Sequence, residues 1–554
     1  MKVAEAICHS LVCEGVRFAA GITGQSIGHV ADALAEHDEV NVIYARQERV
    51  AFDICDGFAR ASGRPAVVFS DAGPAAANAM GGLVNSWGDS VPVLFIAGHN
   101  NRSDMPTGDT KEIPFRALFG PVSKWVAVIE EPEQAGPLLR RAFMHLTTGR
   151  PGPVVIGMPY DISSKLIHDF TYEAVGQRPR VRAAGDPAAV AAAADMLLRS
   201  ERPFVYAGAG VLFSEATPEL IALAEALALP VATTLNGKSA FPEDHELALG
   251  IGGFARAQYG SLPATVLAQE ADVILTLGCG FKKHATRGPR PIGSRHIQVD
   301  VDPGEINKHH IADAPILGDA KLVLSQLLEA VRARKATRPG MAQTRARVAA
   351  LRDRWNTVCA PLLTSEQTPV NPFRVTRELA RLLPRDRSIM LHDAGSVRGT
   401  TCQHYPAITP RSFLGFGVQS AMGWSIGAAI GAKAAEPTKI VCAVIGEEAF
   451  NETAMDIETS IRGRLPVLII VKNNRAYVDH DGGKSQKLAT ARFAEGVDIA
   501  SVAMALGARA FKVEEPSVLA KTLAEAIASV EAGRTAVVEI KTIREKASLH
   551  RLWE

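Results

Sequence analysis

The chain has 554 residues, 47% of them apolar and 21% charged, with 60 Lys plus Arg against 59 Asp plus Glu. It is long enough for several domains with cores of their own, and too apolar for a mainly disordered chain. A net charge of +1 without long single-sign runs argues against a nucleic-acid binder, which needs a basic excess or a basic face.

The longest unbroken apolar runs, 188–194, 440–445 and 467–471, fall well short of the roughly 20 residues a spanning helix needs, so no membrane segment is expected. Glu5, His9 and Glu14 interrupt the N-terminal run, which therefore does not read as a secretory signal. The seven cysteines are scattered and include no Cys-x-x-Cys pair. Neither a disulfide framework nor a structural zinc site is expected, and the expected compartment is the reducing cytoplasm.

In chain order, residues 1–165 alternate helical periods with β-rich runs at 40–44, 66–69, 91–97 and 154–156. That rhythm predicts a parallel sheet covered on both faces. Residues 171–186 are polar, contain Pro and Gly, and read as a linker. Residues 187–336 follow with a helix at 188–198 and a strand at 204–206 that opens onto Ala207-Gly208-Ala209-Gly210. A helix at 218–227 and strands at 273–277 and 296–301 complete this block. A basic stretch, 332–354, reads as a second linker with a solvated helix. Residues 371–554 alternate again: strand 389–391, helix 423–435, strand 439–445, helix 453–461, strand 467–471, then further helices. The expected class is α/β, with three doubly wound parallel-sheet domains, the first and third alike.

The chemistry concentrates in IGEEAFNETAMDIETSIRGRLPVLIIVKNNRAY, from Ile445 to Tyr477. One strand ends at Gly446 and delivers Glu447 and Glu448 to its carboxyl end; the next ends at Lys472-Asn473-Asn474. Neighbouring strand ends in a doubly wound sheet face one crevice, so a carboxylate and an amide can meet there. Oxygen ligands of that kind suit Mg²⁺ beside a phosphate. On spacing alone, a strand–helix–strand unit with polar loop ends is the alternative.

This segment resembles the diphosphate-binding motif of thiamine-diphosphate enzymes, in which Gly-Asp-Gly is followed, after a helix and a strand, by Asn-Asn. The resemblance implies that Glu447, Asn474 and the backbone carbonyl of Ala476 hold Mg²⁺, with Gly446, Glu448 and Ala449 beside the diphosphate of thiamine diphosphate. Two departures stand out. Glu447 is one methylene longer than the family's Asp, and Glu448 brings a like charge toward the diphosphate. The run YARQERVAFDICDGFARASGRPAVVFSDAGPAAANAMGGLVNSWGDSVPVLFIAGH resembles the pyrimidine-binding domain of the acetolactate synthase-like branch. It puts the family's catalytic glutamate at Glu48, whose carboxylate favours the imino form of the aminopyrimidine. Without the resemblance, Glu48 reads as a solvated charge at a strand end.

The same resemblance turns Gly73, Pro74 and Asn78 toward the cofactor. Asp71 carries two readings, a substrate-side acid or base and a helix N-cap. His99, after a strand end in the same crevice, is a catalytic candidate or a structural histidine. Residues 417–423 (GVQSAMG) place Gln419 at the cofactor, and Met422 as the apolar support that bends it into reactive shape; by itself a Met before a helix reads as packing. Gly395 and Ser396, in Asp393-Ala394-Gly395-Ser396, match a loop on the diphosphate.

The resemblance covers the chain in the order pyrimidine-binding domain (1–165), central Rossmann-like domain (187–336) and diphosphate/Mg-binding domain (371–554). It implies an acetolactate synthase-like enzyme that makes or breaks C–C bonds on a 2-oxo acid or related carbonyl substrate. Residues 475–493 do not look like the acetohydroxyacid synthase substrate loop. A decarboxylase or lyase of the benzoylformate, oxalyl-CoA or 2-hydroxyacyl-CoA type is therefore the alternative. A non-catalytic paralogue with an altered metal motif is a third reading. Relatives hold FAD or ADP at the turn that matches Gly208 and Gly210, whereas others hold nothing; a lone Gly-x-Gly discriminates poorly, and the empty site is the favoured expectation. The expected assembly is a homodimer or homotetramer with sites at the dimer interface, acting on a small molecule, with no nucleic-acid or membrane partner.

Overall fold

The computed structural model describes residues 1–176, 180–253, 259–282, 290–476, 488, 490, 492–494, 496–549 and 552. It contains three six-stranded sheets. The first comprises β1 Phe18–Gly21, β2 Asn41–Tyr44, β3 Ala66–Ser70, β4 Val93–His99, β5 Trp125–Val128 and β6 Val154–Pro159. The second comprises β7 Pro203–Ala207, β8 Val231–Thr233, β9 Ala248–Ile251, β10 Val273–Leu277, β11 Arg295–Asp300 and β12 Ala314–Leu317. The third comprises β13 Ser388–His392, β14 Phe413–Leu414, β15 Ile440–Gly446, β16 Leu468–Asn473, β17 Arg509–Val513 and β18 Ala536–Lys541. Every pair is parallel. Parallel strands are covered by helices on both faces and so read as continuous apolar runs; β3, β4, β15 and β16 are buried nearly throughout.

The orders are β2-β1-β3-β4-β6-β5 and β14-β13-β15-β16-β18-β17 for the first and third sheets. Counted from each unit's first strand, the two are identical. The middle sheet runs β12-β11-β10-β7-β8-β9, the dinucleotide-fold order. In the first and third sheets the order reverses between the first and third strands. Ligand crevices of open α/β sheets open at that reversal, beyond the carboxyl ends. In the first sheet it lies after β1 and β3, at Ser26 and Asp71. In the third it lies after β13 and β15, at the 393–396 loop and at Glu447.

Two expectations need correction. The helix foreseen at 453–461 is two short helices, Glu447–Thr453 and Ile457–Arg462, joined by a tight turn at Ala454–Asp456. The Asp456 carboxylate there accepts from the Arg46 amide (2.9 Å) and the Thr459 hydroxyl (2.8 Å), which favours the break. The basic stretch 332–354 is not simply solvated. Helix Met341–Leu363 buries Val348, Leu351, Trp355 and Cys359, and the buried Arg338 guanidinium donates to the carbonyls of Leu227, Ser200 and Ala228. Of the 475–493 segment, residues 477–487, 489 and 491 lie outside the described residues.

The first and third units share one apolar core. Helix Glu48–Ser62 lies against helix Trp424–Ala435 at glycines. Gly57 meets the Ala428 backbone, and Gly431 meets the Ile54 carbonyl, so closely that no side chain fits at either position. Close backbone approach of this kind requires glycine. A buried ionic network seals the joint. Arg60 binds Asp56 (2.5 Å), Asp89 (3.1 Å) and the Gly415 carbonyl (2.9 Å). Asp56 also accepts from Trp424 Nε1 (3.0 Å), and Asp89 from the Gly417 amide (2.7 Å).

Candidate active site

At the third sheet's reversal, Glu447 starts a helix directly after β15. Its side chain is buried, and its Oε1 accepts from the Ala476 amide at 2.8 Å. Asn474 Oδ1 accepts from the same amide at 3.0 Å. The structure thus brings Glu447, Asn474 and Ala476 together across 29 residues of sequence, with two side-chain oxygens converging on one amide. Burial pushes the Glu447 carboxyl above its usual range, partly offset by backbone amides. A cation is what a desolvated carboxylate lacks, and the donors are hard oxygens of the sort Mg²⁺ takes. The extra methylene of Glu447 is accommodated, because the longer side chain reaches back to Ala476. Glu448 is half-buried and makes no ion pair among the described residues; Ala449 is buried.

The neighbouring loops leave room for a phosphate-bearing group. A Cβ added at Gly395 or Gly446 would meet nothing within 4 Å. Gly395 has φ +78°, a conformation glycine adopts without strain, and Ser396 begins the next helix. Asp393, in the loop expected to touch a diphosphate, is turned inward instead. Its carboxylate accepts from the amides of Ala394 (2.7 Å), Gly423 (2.9 Å) and Ser425 (2.8 Å). It therefore pins the turn that carries Met422. Met422 itself is 38% exposed, an uncovered apolar side chain at the crevice, and its carbonyl accepts from Arg49. Gln419 packs on Gly88, where a Cβ would stand 2.8 Å from Gln419 Cγ.

In the first sheet, Glu48 is half-buried at the start of helix Glu48–Ser62. Its Oε2 accepts from Asn78 Nδ2 at 3.2 Å. Arg49, the next residue, spans to Glu452 (3.3 Å) in the third unit as well as to the Met422 carbonyl. The start of the Glu48 helix therefore stands beside the Met422 turn within one chain. Gly73 (φ +63°) and Pro74 begin the short helix that ends at Asn78.

Asp71 does not cap that helix. Its Oδ1 accepts from the Ser26 amide (3.0 Å) and the Ser26 hydroxyl, and its Oδ2 from Lys111 Nζ (2.6 Å). Burial raises the Asp71 carboxyl, but the bonds from Lys111, Ser26 and Ala72 outweigh it and leave it below the ordinary value. His99 is buried against Phe115, with Nδ1 unpartnered among the described residues. Burial, with Arg116 adding to it, holds its pKa below the ordinary imidazole value. Ser26, Lys111 and Arg49 were missed from sequence, because only strand order brings them to the crevice.

In the middle sheet, Gly208 and Gly210 pack directly on Gly278. A cavity opens alongside, walled by Arg150, Lys282, Asp300 and Asp319 among others. Arg150 there is bound to Glu305 (2.6 Å), and Lys282 to Asp89 (3.3 Å). Among the described residues no helix is long and apolar enough to cross a membrane, and no cluster of three His, Cys, Asp or Glu side chains could hold a metal.

Comparison with known proteins agrees with the architecture. Residues 1–118 match the description "Thiamine pyrophosphate enzyme, N-terminal TPP binding domain", residues 190–327 the central domain and residues 393–540 the C-terminal TPP binding domain. The chain is 34% identical to a probable acetolactate synthase large subunit of Methanocaldococcus jannaschii, over 96% of this chain and 90% of that one. It is 29% identical to acetolactate synthase isozyme 3 large subunit of Escherichia coli K12, over 97% and 94%. It is 28% identical to a glyoxylate carboligase of Escherichia coli O157:H7, over 99% and 94%.

Proposed function

Because the chain belongs to the thiamine pyrophosphate enzymes, we propose that it is an acetolactate synthase-like carboligase that joins two 2-oxo acid-derived units with loss of CO₂. The observation that carries the reading is the meeting of the first and third units. Arg49, next to the Asn78-bonded Glu48, reaches the Met422 carbonyl and Glu452, while in the third unit the buried Glu447 and Asn474 converge on the Ala476 amide. Two relatives named for acetolactate synthesis and one for glyoxylate ligation support the reaction class.

Bound thiamine diphosphate supplies an electron sink for chemistry next to a carbonyl; the chain's own residues do the rest. Glu447, Asn474 and the Ala476 carbonyl would hold Mg²⁺, with Gly395, Ser396, Gly446, Glu448 and Ala449 lining the space for a diphosphate. Glu48, with Asn78 bonded to its Oε2, would share a proton with the ring nitrogen of the aminopyrimidine. Met422 would support the cofactor through an apolar contact that Asp393 and Arg49 keep in position. The domain limits 1–165, 187–336 and 371–554 are part of this proposal. So is assembly as a homodimer or homotetramer, which rests on the resemblance; the expectation of sites between protomers is not carried forward, because Arg49 joins the start of the Glu48 helix to the Met422 carbonyl and Glu452 within one chain. The relatives named large subunits belong, by that name, to larger assemblies.

The central cavity is read as free of FAD and ADP. Gly208 and Gly210 serve loop-to-loop contact, and the nearby cations are already paired. Purified protein is expected to show no flavin absorbance and to release no ADP on denaturation; either signal would overturn this.

The test is calorimetric titration of thiamine diphosphate with Mg²⁺ into metal-stripped protein, then turnover of pyruvate with products identified. Mg²⁺-dependent binding and acetolactate formation are expected. Binding with acetaldehyde, but no ligation product, would favour the decarboxylase reading. Absence of binding at millimolar cofactor would overturn the enzyme reading in favour of the non-catalytic paralogue.

A further inference from the structure

The Asp71–Lys111 pair is a charged cluster at a sheet reversal to which the proposed function gives no part in holding the cofactor. Asp71 follows β3, and Ser26, which anchors its carboxylate, follows β1. The cluster thus occupies the crevice position of the first sheet. Lys111 is not a loose surface lysine. A Cβ on Gly73 would stand 2.7 Å from Lys111 Cβ, so the Lys111 backbone rests on the turn that begins the 74–78 helix. That helix has five residues and is therefore about 7.5 Å long; its far end is Asn78, bonded to Glu48. Lys111 consequently lies about one short helix away from the catalytic carboxylate.

Its loop is tied down. Buried Asn100 donates to the Thr110 carbonyl (2.7 Å), and Glu112 accepts from the amides of Gly108 (2.9 Å) and Asp109 (3.2 Å). Lys111 holds φ +68°, a left-handed conformation that costs a non-glycine residue energy and is concentrated at functional sites. Its side chain is 36% exposed. An ammonium has three N–H donors, and Asp71 takes one.

We propose that Lys111, held by Asp71 and Ser26, binds the carboxylate of the acceptor 2-oxo acid; this rests on the carboligase reading. Charge chemistry separates acceptor from donor. The donor's carboxylate must leave as neutral CO₂, and an ion pair to it would stabilise the ground state and slow its loss. The acceptor's carboxylate passes unchanged into the product. In the ligation step the electron pair left on the donor-derived carbon by the loss of CO₂ forms the new C–C bond at the acceptor carbonyl carbon, the C=O π pair moves to oxygen, and that oxygen takes a proton from solvent. An ammonium on the neighbouring carboxylate therefore orients the acceptor throughout without being consumed. It also favours a 2-oxo acid over an aldehyde as acceptor, through a charge-assisted bond that an aldehyde cannot make.

The experiment measures acetolactate formed per CO₂ released from pyruvate, with thiamine diphosphate affinity measured alongside. Each acetolactate accounts for one CO₂, so an efficient wild type approaches parity. Lys111→Met should lower the ratio about 10- to 100-fold, the scale of one lost charge-assisted hydrogen bond, with acetaldehyde and acetoin accumulating. Lys111→Arg should restore most of it, and Asp71→Asn should lower it less than Lys111→Met does. An unchanged ratio in Lys111→Met, or loss of cofactor binding in that variant, overturns the proposal. If Lys111→Met does not fold, Lys111→Gln and Asp71→Asn decide on the same ratio. If the wild type binds cofactor yet makes no acetolactate from pyruvate, the carboligase reading itself fails. A carboligase whose ratio ignores Lys111 refutes only this assignment.

Discussion

Replacing Arg60 by Met tests whether the buried ionic joint holds the two thiamine-binding units together. The guanidinium contacts Asp56 at 2.5 Å, Asp89 at 3.1 Å and the Gly415 carbonyl at 2.9 Å, and lies 5.3 Å over the Trp424 ring. Its two carboxylates are not equally provided for afterwards. Asp89 keeps Lys282 (3.3 Å) and the Gly417 amide (2.7 Å). Among the described residues Asp56 keeps neutral donors alone, Ser86 Oγ at 2.6 Å and Trp424 Nε1 at 3.0 Å. Removing one partner of a buried pair costs about 3–5 kcal/mol, chiefly through the charge left behind. Arg60→Met should therefore lose about that much, with the deficit concentrated on Asp56. Adding Asp56→Asn should return about 1–3 kcal/mol, whereas adding Asp89→Asn should return less. Arg60→Lys keeps the charge but loses the fork, and should cost about 1.5–3 kcal/mol. The assay is urea unfolding of the full chain followed by tryptophan fluorescence, run as double-mutant cycles. A loss below about 1 kcal/mol for Arg60→Met, or no recovery with Asp56→Asn, would refute the reasoning.

Further perturbations address the crevice and the core. Glu447→Gln should weaken Mg²⁺-dependent thiamine diphosphate binding about tenfold or more, the scale of one lost charged contact; Glu447→Asp should retain binding, and equal titrations for wild type and the Gln variant would exclude Glu447 as a ligand. Gly431→Val drives a side chain into the Ile54 carbonyl and should destabilise by at least about 1–3 kcal/mol, seen as a lower urea midpoint. Burial pushes the His392 imidazole down to about 3, reinforced by Arg398. An unfolded imidazole titrates near 6.5, so between pH 6.5 and 3 the unfolded chain binds more protons. The His392 contribution is then full above pH 6.5 and lost as pH falls, at up to about 1.4 kcal/mol per pH unit. His392→Leu should remove that slope; parallel acid profiles for the two proteins would count against it.

The sequence itself determined the alternation of strands and helices, the likeness of the first and third units, and the family resemblance of the segments around Glu48 and Glu447. These are local: a strand covered on both faces must be continuously apolar, and a motif ending at a strand edge announces its own crevice. The strands without a sequence signal include the short β14 Phe413–Leu414 and the half-exposed β17 Arg509–Val513, and also the buried β18 Ala536–Lys541, whose apolar run is broken by the buried Glu539. What the tertiary structure alone decided was convergence. It spent Asp393 on three amides instead of a ligand, returned Glu447 to Ala476, removed Asp71 from a helix cap and gave it Lys111, 40 residues away, and set Arg49 on the Met422 turn. None of these pairings has a sequence period. Each follows from the order in which parallel strands add to a sheet, and that order is set by long-range packing rather than by the residues beside each site.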